Sequence, residues 1–420
     1  MQKSINNSFT SLLLGALMLM TFLKSNAQHI RTQNFQIRDS IYQHYKNGFT
    51  SLAIQCDDLS SLAVIADGIE YSLERNVHFS DLNLSNLLIF NKAQTALSIL
   101  YLGESQAELT LQLYNDSYTD ISTSQIEPAI SRKRSDCDLP PLIDQDVWRD
   151  GLPEPKPNPS TTQVSHLVVH HSATSNNVTD YTLAVRNIYL YHKNNNGWDD
   201  VGYNYLIAPD GTLYAGRDGQ GKEDDNIRGA HFCAKNSYTM GVCLIGNYSE
   251  TEPSDSMLKT LEELLAWKAK KEEIQPLEQD FHPKGSSSGF ELATICGHRD
   301  GYKAGVFDGC QTECPGSLFY KKLDTVRIKV AKRLVDCGFA VGNDEIIENK
   351  GYTFLNGKLF IPNSEASDYQ VVDINGKIIL KGVATQNHID LKTLPSGLFV
   401  ITISTNQSTH TLKIINNGNK

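Results

Sequence analysis

The 420-residue sequence has no excess of positive charge and no long apolar run after its N-terminal segment. It holds 38 lysines and arginines against 48 aspartates and glutamates, a formal net charge of -10. Proteins that bind nucleic acid or anionic lipid electrostatically need a basic surface. A transmembrane helix needs roughly 20 consecutive apolar residues. We therefore expect no nucleic-acid partner and no membrane span.

The N-terminal segment predicts export. Lys3 precedes an apolar run from Leu12 to Leu23, and small residues up to Ala27 follow. The run is shorter than a membrane span, so a cleaved secretory signal peptide at 1–27 is favoured over a membrane anchor. We therefore expect a secreted protein. Because disulfides persist outside the cytoplasm, some of its eight cysteines are expected to pair.

Length and composition predict a folded chain of several domains. Hydrophobic residues make up 40% and charged residues 20%, as in ordinary globular proteins. Residues 28–137 alternate apolar and polar positions, as at Leu109, Leu111 and Leu113, which predicts a β-rich module. We find no metal-ligand cluster, nucleophile motif or phosphate-binding loop in this segment, and its role is unknown.

Residues 138–164 predict a proline-rich linker. Six of the fourteen prolines lie between Pro140 and Pro159. Proline disfavours helices and central strands and keeps a chain extended. The segment is not expected to be a pure spacer, because the residues around Trp148 could pack onto the following domain.

Residues 165–338 alternate strand and helix patterns. Strands are predicted at 165–171, 238–246 and 292–297, on both sides of the turn at 209–211, and helices at about 180–193, 256–271 and 317–337. Strands interleaved with helices at these lengths predict an α/β fold, with a mixed central sheet flanked by helices.

Residues 352–420 predict a small β-sandwich. Asn375 and Gly376 give a strong hairpin signal, and Ile401 and Ile403 alternate with polar residues. The segments resemble the C-terminal sorting domain of the type IX secretion pathway: VVDINGKIIL, IDLKTLPSGLFVITI and TLKIIN. That resemblance implies the type IX secretion machinery as a partner and export to the medium or the cell surface. An ordinary β-sandwich binding module is the alternative.

Potential metal ligands lie at the ends of predicted elements in the α/β segment. His170 and His171 end one strand, His298 follows another, and Cys314 precedes the last helix. A catalytic zinc site has three protein ligands and one open position, and two histidines with a cysteine suit it. A single histidine on a strand is more often structural, so the hypothesis depends on the whole constellation.

Six motifs resemble the type 2 N-acetylmuramoyl-L-alanine amidases, a family that includes the peptidoglycan recognition proteins. They occur in the family's order: VVHHSAT, GWDDVGYNYLIAPDGTLYAGRD, GAH, MGVCLIGNY, CGHRD and TECPG. The resemblance implies a Zn²⁺ hydrolase that cleaves the amide between N-acetylmuramic acid and L-alanine of the peptidoglycan stem peptide. The implied zinc ligands are His170, His298 and Cys314. A non-catalytic peptidoglycan-binding module and a zinc amidase for a non-wall substrate are the alternatives.

The resemblance also implies two catalytic residues. Tyr203, in DVGY, corresponds to a tyrosine that hydrogen-bonds the substrate carbonyl oxygen as it becomes an oxyanion. A tyrosine hydroxyl is protonated at neutral pH and can donate such a bond, although tyrosine is also common as a packed strand residue. Thr312 stands two residues before Cys314, where the family places a second polar helper.

Substrate-binding candidates follow from the same motifs and from charge. The muropeptide-binding candidates are His231, Trp198, Arg217 and Arg228. The resemblance implies that His231 lines the cleft and that the Gly197-Trp198 pair goes with diaminopimelate-type stem peptides. The two arginines are candidates for the peptide carboxylates on charge alone.

The segment between His298 and Cys314 is longer than the family pattern predicts. The residues GYKAGVFDG are an insertion that brings Cys310 close to Cys314 in sequence and makes it an alternative ligand. Cys314 is preferred because Pro-Gly follows it, as in the family. Cys310 then becomes a candidate disulfide partner of Cys233, and His171 is expected to be buried or to orient the site.

Overall fold

The computed structural model of the protein describes most of the chain. The described residues are 30–71, 73, 75–76, 83–116, 137–286, 289–302, 311–339, 347–349, 352–355, 357–361, 367–384, 388–404 and 409–416. The predicted signal peptide at 1–27 and Cys310 lie outside these ranges. Among the described helices, none is both long and apolar enough to cross a membrane.

The N-terminal part of the chain forms one antiparallel sheet of six strands, in the order β1-β6-β2-β5-β3-β4. The strands are β1 Ile30–Ile37, β2 Ser40–Cys56, β3 Leu62–Ala66, β4 Ile69–Tyr71, β5 Leu88–Tyr101 and β6 Ala107–Tyr114. Leu109, Leu111 and Leu113 are all buried, because alternate residues of a strand point to the same face. The prediction of a β-rich N-terminal module is confirmed.

The central sheet also has six strands, in the order β14-β8-β11-β9-β10-β7. The strands of this region are β7 Leu142–Ile143, β8 His166–His171, β9 Tyr205–Ile207, β10 Leu213–Ala215, β11 Thr239–Leu244, β12 Gln279–His282, β13 Phe290–Ala293 and β14 Ile295–Gly297. Strands β14, β8, β11 and β9 are parallel, β10 is antiparallel to β9, and β12 pairs with β13 as a separate hairpin.

Helices cover both faces of the central sheet. They are α1 Gln145–Trp148, α2 Tyr181–Asn194, α3 Asp255–Lys271, α4 Ser317–Tyr320 and α5 Leu323–Asp336. Adjacent residues of β9 show the two faces: Leu206 packs in the core with α2, and Ile207 packs in the core with α3 and α5. The predicted α/β class, a mixed central sheet flanked by helices, is confirmed.

Side-chain caps define where helices α2 and α3 begin. Leu183 N donates to the carboxylate of Asp180 at 2.9 Å, and Met257 N donates to the hydroxyl of Ser254 at 3.1 Å. Such caps satisfy backbone N–H groups that have no partner within the helix, and each stabilises it by about 1 kcal/mol.

Two predicted elements are each divided in the structure. The predicted strand at 292–297 is β13 and β14, and the predicted helix at 317–337 is α4 and α5. The strand divides because β13 pairs with β12 whereas β14 pairs with β8. Thr294, between them, bonds to both sides: its N–H donates to the Glu278 carbonyl at 3.1 Å, and its carbonyl accepts from the N–H of Leu167 on β8 at 2.7 Å.

The segment at 138–164 packs closely against the central domain. Trp148 is fully buried, and its Nε1 donates to the Ala215 carbonyl at 2.7 Å. Its ring centroid lies 5.6 Å from that of Tyr189 on α2. At the start of this segment, Cys137 forms a disulfide with Cys337, directly after α5.

The N-terminal sheet and helix α2 share a core. Ala53, Ile89 and Tyr114 of the sheet belong to the same buried cluster as Ile188 of α2. The hydroxyls of Thr50 and Ser51 lie 3.0 and 2.6 Å from Oδ1 of Asn187 on α2. An ion pair inside this interface joins Asp116 to Arg186 through two hydrogen bonds of 2.5 and 2.8 Å. The module is thus fixed on the central domain.

Arg186→Met is expected to lower the free energy of unfolding by about 3–5 kcal/mol, because it leaves the Asp116 carboxylate buried without its counter-charge. The two side chains are only 3% and 1% exposed, so water cannot replace the guanidinium. Equilibrium urea unfolding of the full chain measures the difference. In the double variant Asp116→Leu/Arg186→Met the part of the loss caused by the unpaired carboxylate should disappear, whereas the Trp148 and Asp150 carbonyls still lack the donor that Arg186 supplies.

The matched control for Arg186 is an exposed ion pair. Lys156 and Asp199 are 62% and 59% exposed, so Lys156→Ala should change stability by about 1 kcal/mol at most. Equal losses in Arg186→Met and Lys156→Ala would contradict a stabilising role for the buried pair.

The C-terminal part forms two four-stranded sheets, β15-β16-β17-β20 and β19-β18-β21-β22. Their strands are β15 Ile347–Asn349, β16 Tyr352–Leu355, β17 Lys358–Phe360, β18 Ser367–Asp373, β19 Ile378–Ala384, β20 His388–Asp390, β21 Gly397–Ser404 and β22 Thr409–Asn416. Gly376 has φ +78° in the turn between β18 and β19, a conformation that glycine adopts readily. The predicted β-sandwich is confirmed.

Candidate active site and metal centre

His170 lies at the carboxyl end of β8, between two parallel neighbours. On one side Val169 pairs with Gly297, so that His298 follows at the end of β14. On the other side His170 itself pairs with Cys243 of β11. The carboxyl ends of parallel strands meet at one edge of a sheet, and ligand sites form there. The topology therefore brings histidines that are distant in sequence to one place.

His170, His298 and Cys314 form a compact group. Their potential ligand atoms all lie within 4.8 Å of one another, and the three side chains are at most 1% exposed. Nδ1 of His170 is 3.7 Å from Sγ of Cys314, and the ring centroids of the two histidines are 4.7 Å apart. Two imidazole nitrogens and a thiolate are ligands that zinc accepts, with a fourth position left open. The residues present fit a catalytic zinc ion.

Backbone contacts hold Cys314 in this position. The N–H of His171 donates to Cys314 Sγ at 3.4 Å, and the N–H of Arg299 donates to the Cys314 carbonyl at 2.8 Å. Thr312 Oγ1 accepts from the N–H of Cys314 at 3.1 Å, so Thr312 supports the ligand, and its catalytic role stays a prediction. Burial raises the pKa of the Cys314 thiol to about 12, so the thiolate needs a cation beside it.

His231 contacts the metal-ligand group through His170. Its Nδ1 lies 2.9 Å from Nε2 of His170, and its Nε2 lies 3.4 Å from the hydroxyl of Thr239. When Nε2–H of His170 donates to His231, Nδ1 of His170 is left facing Cys314 as the ligand atom. Metal-binding histidines commonly use their second nitrogen in this way. His231 is thus placed to orient His170, and its predicted contact with substrate stays a prediction.

Two glycines make room for the ring of His231. A Cβ atom at Gly229 would lie 2.3 Å from Cδ2 of His231, and one at Gly241 would lie 2.5 Å from the same atom. Because packed side chains have no space to move away at such distances, a larger residue at either position would displace the ring. The glycines of the motifs GAH and MGVCLIGNY therefore both leave space for the ring of His231.

Tyr203 lies beside the metal-ligand group. Its ring centroid is 5.2 Å from that of His170, and the side chain is 3% exposed. Its hydroxyl is hydrogen-bonded with the thiol of Cys243. Burial raises the pKa of Tyr203 well above its usual value, so the hydroxyl stays protonated at neutral pH and can donate a hydrogen bond. Its catalytic role stays a prediction.

A buried polar network holds the turn that leads to Tyr203. The carboxylate of Asp200 accepts from the N–H groups of Val201 and Asp218 at 2.7 and 2.9 Å. Burial raises the pKa of Asp200 to about 6. Arg217 is 7% exposed, and its Nε donates to the Val201 carbonyl at 2.9 Å. Arg217 thus supports this turn, and its predicted contact with a peptide carboxylate stays a prediction.

The remaining predicted substrate residues lie nearer the surface. Trp198 is half-buried, and its ring centroid is 4.7 Å from that of His192 on α2. His192 Nδ1 accepts from the N–H of Gly202 at 3.1 Å, which ties this helix to the residue before Tyr203. Arg228 is exposed. For Trp198 and Arg228, contact with substrate stays a prediction.

The part of the chain that contains this site is similar to known proteins. Residues 160–317 match the family model described as N-acetylmuramoyl-L-alanine amidase. Peptidoglycan-recognition protein SC2 of Drosophila melanogaster is 30% identical over 164 residues, which cover 39% of this chain and 73% of that protein. The chain belongs to the family of N-acetylmuramoyl-L-alanine amidases and peptidoglycan-recognition proteins. The family resemblance of the six motifs is thereby confirmed.

Two further proteins are similar to part of this chain. The N-acetylmuramoyl-L-alanine amidase of Sus scrofa is 28% identical over 173 residues, which cover 40% of this chain and 24% of that protein. The solved structure of wild-type Drosophila PGRP-LB is 26% identical to this chain, covers 49% of it and 98% of its own chain, and has a TM-score of 0.32.

The C-terminal part of this amidase-family protein matches a second family model. Residues 355–417 match the model described as a secretion system C-terminal sorting domain, which confirms the resemblance to the type IX sorting domain. The match indicates export through the type IX pathway.

Three residues support the candidate site although the sequence motifs did not point to them. The thiol of Cys243 is hydrogen-bonded with the Tyr203 hydroxyl, and the hydroxyl of Thr239 lies near Nε2 of His231. His192 accepts a hydrogen bond from the N–H of the residue before Tyr203. Cys243 lies in the motif MGVCLIGNY. A prediction that this strand pairs with β8 would have placed Cys243 beside His170. For His192 and Thr239 the sequence offers no comparable signal.

Cys233 lies close to the metal-ligand group. Its Sγ is 3.0 Å from Nε2 of His298, and this sulfur is part of a disulfide. Since Cys310 lies outside the described residues, the predicted pairing of Cys233 with Cys310 stays a prediction.

Proposed function

We propose that this protein is a secreted, zinc-dependent N-acetylmuramoyl-L-alanine amidase. It cleaves the amide bond between N-acetylmuramic acid and L-alanine of the peptidoglycan stem peptide. The observation that carries the proposal is the buried group of His170, His298 and Cys314 with Tyr203 beside it. The ring centroids of Tyr203 and His170 are 5.2 Å apart. A protein that only recognises peptidoglycan needs neither three complete zinc ligands nor a protonated hydroxyl beside them.

The side chains of the site match the needs of amide hydrolysis. His170, His298 and Cys314 would hold Zn²⁺, which would supply a Lewis acid for activating water and polarising the scissile carbonyl. Tyr203 donates its hydroxyl hydrogen to the substrate carbonyl oxygen as negative charge develops there. Because Tyr203 is buried and bonded with Cys243, its ring is oriented before substrate arrives. His231 keeps Nδ1 of His170 directed towards Cys314.

Burial strengthens these interactions. His170, Tyr203 and Cys314 are each at most 3% exposed, so little water competes with the donated hydrogen bond. An electrostatic contact is stronger in such a low-dielectric environment than at the surface. The arrangement therefore favours the charged transition state over the neutral substrate.

The purified protein is expected to release free stem peptides that begin with L-alanine from muropeptides. EDTA should reduce this release to background, and added zinc should restore it, because chelation removes the ion that the three ligands hold. Mass spectrometry of the digest identifies the products. Magnesium is the control, since it prefers oxygen ligands and should not restore activity.

Each alternative function predicts a different result in this digestion. Binding of peptidoglycan sacculi without release of peptide, with or without zinc, would indicate a recognition module and contradict the proposal. Hydrolysis of other amides but not of muropeptides would indicate a different zinc amidase. Comparing diaminopimelate-type with lysine-type muropeptides tests the preference proposed for Gly197 and Trp198, with faster release expected from the former.

A further inference from the structure

A pocket next to Tyr203 is lined from both the N-terminal sheet and the central domain. Asn76, Asn86 and Leu87 line it on the N-terminal side. Tyr203 and Trp198 line it on the central-domain side, together with residues of α2 and the loop after β8. The empty space between its lining atoms is about 440 Å³ with the opening to solvent included, and the centre of a water molecule can occupy about 20 Å³ of it. The N-terminal module therefore reaches the proposed active site.

The lining of this pocket combines apolar side chains with polar ones. Among the described residues it contains no lysine, arginine, aspartate or glutamate, and it holds three carboxamides, those of Asn76, Asn86 and Asn196. A carboxamide offers both a donor and an acceptor, which matches the N–H and C=O of a peptide. The Nδ2 atom of Asn196 is buried and has no hydrogen-bond acceptor among the described residues. A buried donor of this kind calls for a partner, which a bound ligand can supply.

The N-terminal residues of the pocket are held firmly in place. The Nδ2 of Asn76 donates to the hydroxyl of Tyr191 on α2 at 2.8 Å. The N–H of Ser85, next to Asn86, donates to the Ile54 carbonyl at 2.7 Å. With the buried ion pair of Asp116 and Arg186, these contacts make the pocket wall a fixed part of the protein. A rigid wall can select among substrates without a conformational change.

We propose that the N-terminal module is a specificity element of the amidase, and that Asn86 contacts the amides of the stem peptide in this pocket. The inference rests on the proposed function, since it names the part of the muropeptide that the pocket receives. Successive peptide amides present both donors and acceptors, with which the carboxamides of the pocket can pair. The carboxylates of the stem peptide, by contrast, would find no counter-charge in the described lining.

The test compares substrates that differ in peptide length. N-acetylmuramoyl-dipeptide and N-acetylmuramoyl-tetrapeptide are each cleaved with the full chain, and kcat/KM is measured. Asn86→Ala should lower kcat/KM about tenfold for the tetrapeptide substrate and less than about twofold for the dipeptide substrate, because one hydrogen bond to the longer peptide is lost. Asn196→Ala, on the opposite side of the interface, should act in the same direction.

A matched control separates the pocket from the docking of the module. Asn91 lies on β5 of the same module, is exposed, and contacts the central domain through the Asn177 carbonyl at 2.9 Å and the N–H of Thr179 at 2.7 Å. Asn91→Ala removes docking contacts but does not alter the pocket, so the ratio of the two kcat/KM values should stay unchanged. Thermal unfolding of each variant verifies that it is folded.

Several outcomes would overturn the inference. Equal losses for both substrates in Asn86→Ala, or the same change of ratio in Asn91→Ala, would mean that the module acts only through stability. If the loss of kcat/KM in Asn86→Ala depended on an added N-acetylglucosamine unit of the substrate and not on peptide length, the sugar would be the group that occupies the pocket. If the wild-type protein cleaves neither substrate, the proposed function fails. Calorimetric titration with the tetrapeptide substrate then tests the pocket alone, and unchanged affinity in Asn86→Ala would overturn it too.

Discussion

Replacing Cys314 by serine is expected to abolish zinc binding and to lower kcat/KM for muropeptide hydrolysis by about a thousandfold or more. A serine hydroxyl does not ionise near neutral pH and is a poor ligand for zinc, so only His170 and His298 would remain. Loss of a metal that contributes several kcal/mol to transition-state stabilisation corresponds to rate losses of this order. Metal analysis of the purified protein and digestion of muropeptides measure both effects.

Two other cysteines provide controls for Cys314→Ser. Cys296 is equally buried and lies two residues before His298, but it packs in an apolar cluster with Val168. Cys296→Ala should retain zinc. Cys310→Ser should retain it as well, because the ligand group already contains Cys314. Zinc loss in Cys310→Ser together with zinc retention in Cys314→Ser would reverse the proposed ligand assignment.

Replacing Tyr203 by phenylalanine should lower kcat by about 10²–10³-fold, the usual cost of removing one oxyanion donor. The substitution removes one oxygen from a ring that is packed beside His170, so the zinc content should be unchanged. KM should change little, because the hydrogen bond is strongest when negative charge develops in the transition state. Steady-state kinetics with purified muropeptides, together with metal analysis, measure these quantities.

Tyr205 is the matched control for Tyr203. It is also 3% exposed and lies two residues further along, but it packs in the core on the α3 side, with its ring centroid 6.2 Å from Trp267. Tyr205→Phe should leave kcat near the wild-type value. Equal losses in the two variants would show that the sensitivity to Tyr203 reflects packing rather than catalysis.

Much of the fold is predictable from sequence because its periodicities are local. Alternation at Leu109, Leu111 and Leu113 predicts a half-buried strand, and all three are buried in β6. The division of the predicted strand at 292–297 is not predictable in this way. It depends on which distant strand each half pairs with, β12 for one and β8 for the other. Hydrophobic pattern does not encode the partner of a strand.

The candidate site, too, is predictable from the sequence only in part. The order of the six motifs points to His170, His298, Cys314 and Tyr203, and the structure brings these four together. The position of His231 beside Nε2 of His170 could not be read from the sequence. It depends on two glycines in separate motifs whose lack of a side chain leaves space for one ring.

The sequence by itself determined the family, the sorting domain and the α/β class, and it predicted the metal-ligand residues that we propose. Residue types and their order carry that information, because zinc chemistry restricts its ligands and local periodicity reports burial. Only the tertiary structure decided that Asn86 of the N-terminal module lines a pocket with Tyr203. It also decided that the module is fixed on α2 by a buried ion pair. The ion pair joins residues 70 positions apart, and Asn86 and Tyr203 are further apart still, so neither spacing nor composition specifies these contacts.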